Sequence, residues 1–186
     1  MKNRTILSML IAVFFVQVTF AQKSLPKFEV SAGIGLLPTF LKDKKQVNVL
    51  PASLTIDYRV NKKFSVGLLV GYSKATTNVY DKIMENPAMV TNDFSVATAR
   101  VAIHNMTYKK WDVYGGVSLG VAHSKFTVKD GDVSKLIKHK KFTPTKTSFL
   151  PGAFVGARYD IASNLAIYGE VGTGLSILSI GMTKKF

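Results

Sequence analysis

Apolar residues alternate with polar or small residues along most of the chain between Phe28 and Phe186. Between Trp111 and Val121, for example, most odd positions are apolar, and the even positions carry Asp, Tyr, Ser and two Gly residues. A β-strand points successive side chains to opposite faces, so this alternation predicts strands with one apolar face each. No segment after residue 21 shows a helical period, and the sequence therefore predicts an all-β protein.

Eight segments show this alternation, and each has about ten residues, the length that a tilted strand needs to cross an apolar band of about 25 Å. The polar series is rich in Gly and Ser with scattered charges, and we expect it to be too poor in apolar residues to form a core. A soluble sandwich or a lipocalin-like barrel is the alternative, but it would bury its apolar face. We therefore predict an eight-stranded antiparallel up-and-down transmembrane β-barrel, since only closure leaves no unpaired strand edge in lipid. The predicted strands are Phe28–Leu36, Leu50–Val60, Phe64–Ser73, Ala97–His104, Trp111–Val121, Phe149–Ile161, Leu165–Gly172 and Leu178–Phe186.

Residues 1–21 have the composition of a secretory signal peptide. Lys2 and Arg4 precede a largely apolar run from Ile6 to Phe20. An uncleaved membrane anchor is the alternative, but the run is shorter than the ~20 residues that span a bilayer. We predict cleavage between Ala21 and Gln22, which leaves residues 22–186 as the barrel domain.

The predicted connections alternate between short and long. Short turns follow the second, fourth and sixth strands, and longer loops mostly follow the others. This is the layout of barrels with short periplasmic turns and longer extracellular loops, so we expect both termini on the periplasmic side. The predicted long loops are Pro38–Asn48, Lys74–Asn92 and His123–Lys146, and the predicted short turns are Asn61–Lys63, Asn105–Lys109, Ala162–Asn164 and Gly174–Ser176.

The three arginines that follow residue 21 all fall on the polar series of predicted strands, whereas the lysines fall in loops, turns or strand ends. Arginine suits a confined lumen, because its planar fork pairs two carboxylate oxygens and keeps its proton. A pore lining is one interpretation. We favour a salt-bridged plug, because eight strands enclose a space only just wide enough for side chains. The predicted barrel-interior charge network comprises Glu29, Asp57, Arg59, Arg100, Asp112, Arg158, Asp160 and Glu170.

The final segment, Ile177–Phe186 (ILSIGMTKKF), resembles the terminal strand of outer-membrane barrel proteins, which ends in Phe after alternating apolar residues. Lys184 departs from that pattern, and the matching residues are Leu178, Ile180, Met182 and Phe186. With the signal peptide and eight strands, the chain resembles the small OmpA/OmpX-like outer-membrane β-barrel family of Gram-negative bacteria. The resemblance implies the fold, the outer membrane and recognition of the last strand by the barrel-assembly machinery. It implies no single activity, since members include structural barrels, adhesins and a few enzymes.

Candidate chemistry is sparse. The histidines are His104, His123 and His139, and the only close pair is His123-Ser124, whose side chains would point to opposite faces of a strand. The chain has no cysteine, no metal-ligand spacing and no phosphate-binding glycine loop. We therefore predict no catalytic, cofactor or metal site. The formal charge of +14 would suit nucleic acid, but the export signal does not.

The loops are the remaining place for function. The cluster Lys138–Lys141 is a candidate contact for lipopolysaccharide phosphates, or else part of a solvated loop. Phe126–Val128 followed by Asp130-Gly131 suggests that strands five and six continue beyond the membrane as a hairpin. We predict a non-enzymatic barrel that serves envelope integrity or surface interaction, with outer-membrane lipids and an unknown surface partner. A narrow channel for ions or small solutes is the alternative, and an interfacial lipid-modifying enzyme is a third.

Overall fold

A computed structural model describes residues 27–37, 45–79, 88–108, 110–130 and 144–186. Eight antiparallel strands follow one another around a closed barrel, in which each strand pairs with its neighbours in sequence. The predicted fold class is therefore confirmed, while the predicted signal peptide and its cleavage site at Ala21 and Gln22 lie outside the described residues. The strands are β1 (Phe28–Gly35), β2 (Lys45–Arg59), β3 (Phe64–Val79), β4 (Ala88–Tyr108), β5 (Trp111–Asp130), β6 (Thr145–Ala162), β7 (Leu165–Gly172) and β8 (Leu178–Lys185).

The barrel closes where β1 pairs with β8. Their register runs from Glu29↔Lys185 to Gly35↔Ser179, and the Phe186 backbone N–H donates to the Phe28 carbonyl at 2.8 Å. The first and last strands therefore begin and end on the same side, together with the turns after β2, β4 and β6. We call this side the short-turn end and the opposite side the long-loop end. The described residues include no helix that is long and apolar enough to cross a membrane.

The strands differ in length more than the sequence predicts. β1, β7 and β8 have 8 residues each, whereas β4 has 21 and β5 has 20. The expectation of about ten residues per strand is wrong for the middle of the chain. Parts of the predicted loops Pro38–Asn48, Lys74–Asn92 and His123–Lys146 are strand, and β4 also runs through most of the predicted turn after His104. Among the extra residues whose side chains are described, most of the outward ones are polar, for example Lys74, Asp93 and Lys125. The apolar alternation that marked each predicted strand therefore stops before the strand does.

The predicted apolar series faces outward along the barrel wall. Leu68, Val117 and Phe149 are 64%, 63% and 66% exposed. On β5 this series runs from Trp111 to Val121, which spans about 25 Å of membrane thickness for a strand tilted by about 40°. The inside-out pattern of a transmembrane barrel is therefore confirmed.

The lumen is more apolar than the sequence analysis expected. Inside the barrel near the long-loop end, four buried side chains pack together with partly buried Leu69 and Leu150. We call these six residues the apolar cluster, and its buried members are Phe94, Val96, Ala122 and Leu175. The expectation that the inward series cannot form a core is wrong at this level, because isolated apolar residues on several strands and the β7–β8 turn converge in the closed barrel.

Gly67 on β3 provides space for a charged side chain in the lumen. A Cβ atom there would lie 2.1 Å from Asp57 Oδ1 and 2.6 Å from the Ile56 carbonyl oxygen. Gly169 on β7 gives a matched comparison, because a Cβ atom there meets nothing within 4 Å.

We expect Gly67→Ala to lower the free energy of unfolding by about 1–3 kcal/mol, the usual range for overpacking, and Gly169→Ala to leave it almost unchanged. Urea unfolding of both variants in lipid vesicles measures the difference. Equal midpoints for the two variants would contradict the close packing of Asp57 against β3.

Candidate functional site

Seven of the predicted interior residues meet in the half of the lumen that lies toward the short-turn end. Six are 6% exposed or less, and the Glu170 side chain is 15% exposed. They come from six strands, so the cluster exists only in the closed barrel. We call it the lumen charge cluster, and its members are Glu29, Asp57, Arg59, Arg100, Asp112, Arg158 and Glu170.

Two of the acids lie directly opposite each other. Glu29 on β1 is the register partner of Asp57 on β2, and like charges in such a pair destabilise a sheet. Arg158 reaches across the lumen from β6 and compensates both. It hydrogen-bonds Glu29 Oε2, and its Nη2 donates to Asp57 Oδ2 at 3.2 Å. One guanidinium fork thereby joins β6 to β1 and β2.

Arg59 extends this arrangement toward β5. Its Nε donates to Glu29 Oε1 at 3.1 Å, and its Nη2 hydrogen-bonds Asp112 Oδ2. Arg158 Nη1 also lies 3.9 Å from that Asp112 oxygen. Two arginines therefore share two carboxylates, which keeps the buried charges compensated.

Arg100 and Glu170 form the part of the cluster nearest the middle of the barrel. Arg100 Nη2 donates to Glu170 Oε2 at 2.7 Å, and Arg100 Nε lies 3.7 Å from Asp57 Oδ1. The Tyr114 hydroxyl also donates to Glu170 Oε2, at 3.0 Å. The Arg100 guanidinium stacks 3.8 Å from the centre of the Phe154 ring, so a cation–π contact adds to the ion pair.

Ser65, His104 and Asp112 form a chain of hydrogen bonds that the sequence analysis did not identify. Ser65 Oγ lies 2.8 Å from His104 Nε2, and His104 Nδ1 lies 3.1 Å from both Asp112 carboxylate oxygens. The order of groups is that of a serine–histidine–aspartate triad. However, Ser65 is only 1% exposed, and Asp112 is also held by Arg59. His104 is thus held between Ser65 and Asp112 and is itself only 4% exposed.

Asp160 does not join the lumen charge cluster, which corrects the prediction for this residue. Its Oδ1 accepts a hydrogen bond from Lys185 Nζ at 2.5 Å, and its side chain is 30% exposed. The physical reason is its position near the end of β6, one pair of residues beyond Arg158, where the last strand supplies a lysine.

A cavity of about 50 Å³ lies between the lumen charge cluster and the apolar cluster. Both clusters contribute to its lining, together with hydroxyl groups such as those of Ser31, Ser53 and Thr55. Asp57 Oδ1, Arg100 Nε and Arg158 Nε are buried without a hydrogen-bond partner. The cavity is polar and has room for about three water molecules, but its lining does not include Ser65 or His104.

The remaining predicted residues lie at the wall or outside the described part. Ile180, Met182 and Phe186 face outward, and Leu178 is partly buried, so their role as an assembly signal stays a prediction. His123 is exposed and contacts Thr147 rather than Ser124. Gly131 and Lys138–Lys141 are outside the described residues. Within the described ranges, no group of His, Asp and Glu side chains could hold a metal ion.

The sequence matches the family model of the outer membrane protein β-barrel domain over residues 6–182. The chain therefore belongs to this family and is a small outer-membrane β-barrel protein with transmembrane strands. A search of curated proteins gives no match.

Solved structures of small outer-membrane barrels share this fold. The N-terminal β-barrel domain of Pseudomonas aeruginosa OprF is 13% identical, with 88% of this chain and 100% of that chain covered and a TM-score of 0.50. Neisserial surface protein A is 14% identical, with 88% and 100% covered and a TM-score of 0.52. OprG from P. aeruginosa is 16% identical, with 86% and 95% covered and a TM-score of 0.50. At such identities the likeness concerns the fold alone.

A substitution at Arg158 tests how much the lumen charge cluster contributes to the free energy of unfolding. We expect Arg158→Met to lower the free energy of unfolding by about 3–5 kcal/mol if the site is dry, because Glu29 and Asp57 lose their shared partner. The matched control is Lys74→Met, which removes an exposed pair with Asp93 (Nζ–Oδ1 3.1 Å) and should change stability by less than about 1 kcal/mol. Urea unfolding in vesicles measures both, and equal effects would contradict the buried network.

Proposed function

We propose that this protein is a non-enzymatic outer-membrane barrel whose occluded lumen anchors a polar β-sheet extension for interaction at the cell surface. The observation that carries the proposal is the contrast between a lumen filled by side chains and strands that continue well beyond the apolar band. In this proposal the long-loop end faces the outside of the cell and both termini face the periplasm.

The filled lumen supports the proposal that the barrel serves as a membrane anchor rather than as a pore. Arginines and carboxylates cross the barrel toward the short-turn end, and the apolar cluster packs together toward the long-loop end. A solute crossing the barrel would have to separate buried ion pairs and then displace packed apolar side chains, both of which are unfavourable.

The strand extension supports surface interaction. Five neighbouring strands, β2 to β6, stay paired up to Lys45↔Thr77, Val79↔Ala88, Met89↔Asp130 and Lys125↔Thr145. β5, for example, continues for nine residues beyond Val121, which is roughly 30 Å along the strand. β1, β7 and β8 stop short of this level, so the extension is an open, one-sided sheet.

The outer face of the extension is polar from its first row. Asp93 on β4 is contacted by Lys74 Nζ at 3.1 Å and accepts a hydrogen bond from the Tyr72 hydroxyl at 2.6 Å. Lys125 on β5 is the register partner of Asp93. This row of charged side chains suits an aqueous surface rather than lipid, which is why we assign the extension to an interaction role.

A narrow channel for ions or small solutes is the second candidate. The polar cavity beside Arg100 and Glu170 favours it, since water there would hydrate an ion. An interfacial lipid-modifying enzyme has less support, because the hydroxyl of Ser65 in the one serine–histidine–aspartate chain of the described residues faces the lumen rather than the lipid.

We expect the refolded protein to show no steady ion-conducting openings in planar bilayers, because side chains fill its lumen. Leu175→Ala, which thins the apolar cluster, should increase brief leak events. Val117→Ala is the control, since Val117 faces lipid and is 63% exposed. Sustained openings of the unaltered protein would favour the channel.

The chain has no cysteine, so single cysteines report orientation cleanly. On intact cells, a membrane-impermeant maleimide should label Thr127→Cys at the long-loop end and leave Lys62→Cys at the short-turn end unlabelled until the outer membrane is permeabilised. Both positions are exposed. The reverse labelling pattern would overturn the proposed orientation, and with it the surface role of the extension.

A further inference from the structure

The short-turn end carries a ring of lysines. They come from the residue before β1, the β2–β3 turn, the β4–β5 turn and the end of β8, so they surround most of the barrel mouth. Outside the lumen charge cluster, the described side-chain carboxylate at this end is that of Asp160, and it is paired with Lys185 at 2.5 Å. We call this ring the lysine rim. It comprises Lys27, Lys62, Lys63 and Lys110, which are exposed, and Lys184 and Lys185, which are buried at 7% exposure each.

The rim lies next to aromatic side chains on the outer wall. Phe28 and Tyr58 pack with their ring centres 5.1 Å apart, and Trp111 and Tyr159 with theirs 5.0 Å apart. Such rings lie at the boundary between acyl chains and headgroups. Lys27 directly precedes Phe28 in the chain, Lys63 precedes Phe64, and Lys110 precedes Trp111. Because these lysines adjoin the rings, their ammonium groups reach the depth of lipid phosphates.

Lys110 joins the two features. Its Nζ lies 6.0 Å from the centre of the Tyr159 ring, and its neighbour Trp111 is 47% exposed on the lipid-facing wall. Lys62, Lys63 and Lys110 are all exposed, and no described carboxylate pairs with them. Their charge is therefore available to an anionic group from the surrounding leaflet.

We propose that the lysine rim binds the phosphates of anionic glycerophospholipids and so enriches these lipids around the short-turn end. A compact ammonium on a flexible stem suits a mobile headgroup better than a rigid fork does. Each Lys or Arg near an anionic membrane surface strengthens association with that surface by roughly fivefold. Several lysines together therefore give a measurable preference for anionic lipids. An anionic polymer in the aqueous space would contact the turns and not the aromatic rings. The position of the rim beside these rings therefore favours a lipid as the ligand.

Trp111 is the one tryptophan of the chain, and it lies beside the rim, so it reports the lipids there. The folded protein is reconstituted into phosphatidylcholine vesicles with increasing fractions of either dibrominated phosphatidylglycerol or dibrominated phosphatidylcholine. We expect brominated phosphatidylglycerol to quench Trp111 with an apparent affinity about fivefold higher than brominated phosphatidylcholine. The preference should weaken from low salt to about 0.5 M salt, as screening requires.

Two double variants locate the effect. Lys63→Gln/Lys110→Gln should abolish most of the preference, while Lys125→Gln/Lys146→Gln, which removes two exposed lysines at the long-loop end, should retain it. Heat-modifiable gel mobility shows that each variant is folded. Equal quenching by both lipids in the unaltered protein would overturn the proposal. A preference that survives in the rim variant, or that falls equally in both variants, would also overturn it.

Discussion

A closed barrel of eight strands leaves a lumen that side chains alone can fill, and most other features of this protein depend on that constraint. Each charge that the alternating pattern directs inward is removed from bulk water and requires a partner within the same small space. Glu29 and Asp57 show this most clearly, since they are direct neighbours on β1 and β2. Arg158, from the opposite wall, pairs with both carboxylates and so compensates their negative charges.

Such a network is better understood as a device for specificity than as a large source of stability. Buried ion pairs lose much of their attraction to desolvation, so their net contribution is modest, although an unpaired charge is very unfavourable. A strand pairing shifted by two residues would keep every apolar side chain facing lipid, yet it would separate Arg158 from Glu29 and Asp57. The lipid-facing wall cannot distinguish these registers, whereas the lumen charge cluster can.

The sequence predicted what depends on alternation and missed what depends on register. The phase of each strand identified the outward series and directed Arg59, Arg100 and Arg158 inward, because side-chain direction is a local property. The choice of partners was not predictable, since it depends on the stagger of the whole barrel. The same reason accounts for Asp160, which pairs with Lys185, and for the Ser65–His104–Asp112 chain, whose members are far apart in sequence or in neighbouring strands. Strand lengths were underestimated because polar extensions lack the apolar signal.

The two halves of the lumen are filled by different chemistry, and each suits what lies beside it. Ion pairs with buried hydrogen bonds occupy the half toward the short turns, where short connections hold neighbouring strands in a fixed register. Apolar side chains fill the half toward the long loops and include Leu175 from the β7–β8 turn. Apolar contacts are less directional than ion pairs and hydrogen bonds, so the two halves differ in how strictly they fix the positions of their side chains. The lumen charge cluster therefore specifies the register of the barrel, and the apolar cluster separates it from the strand extension.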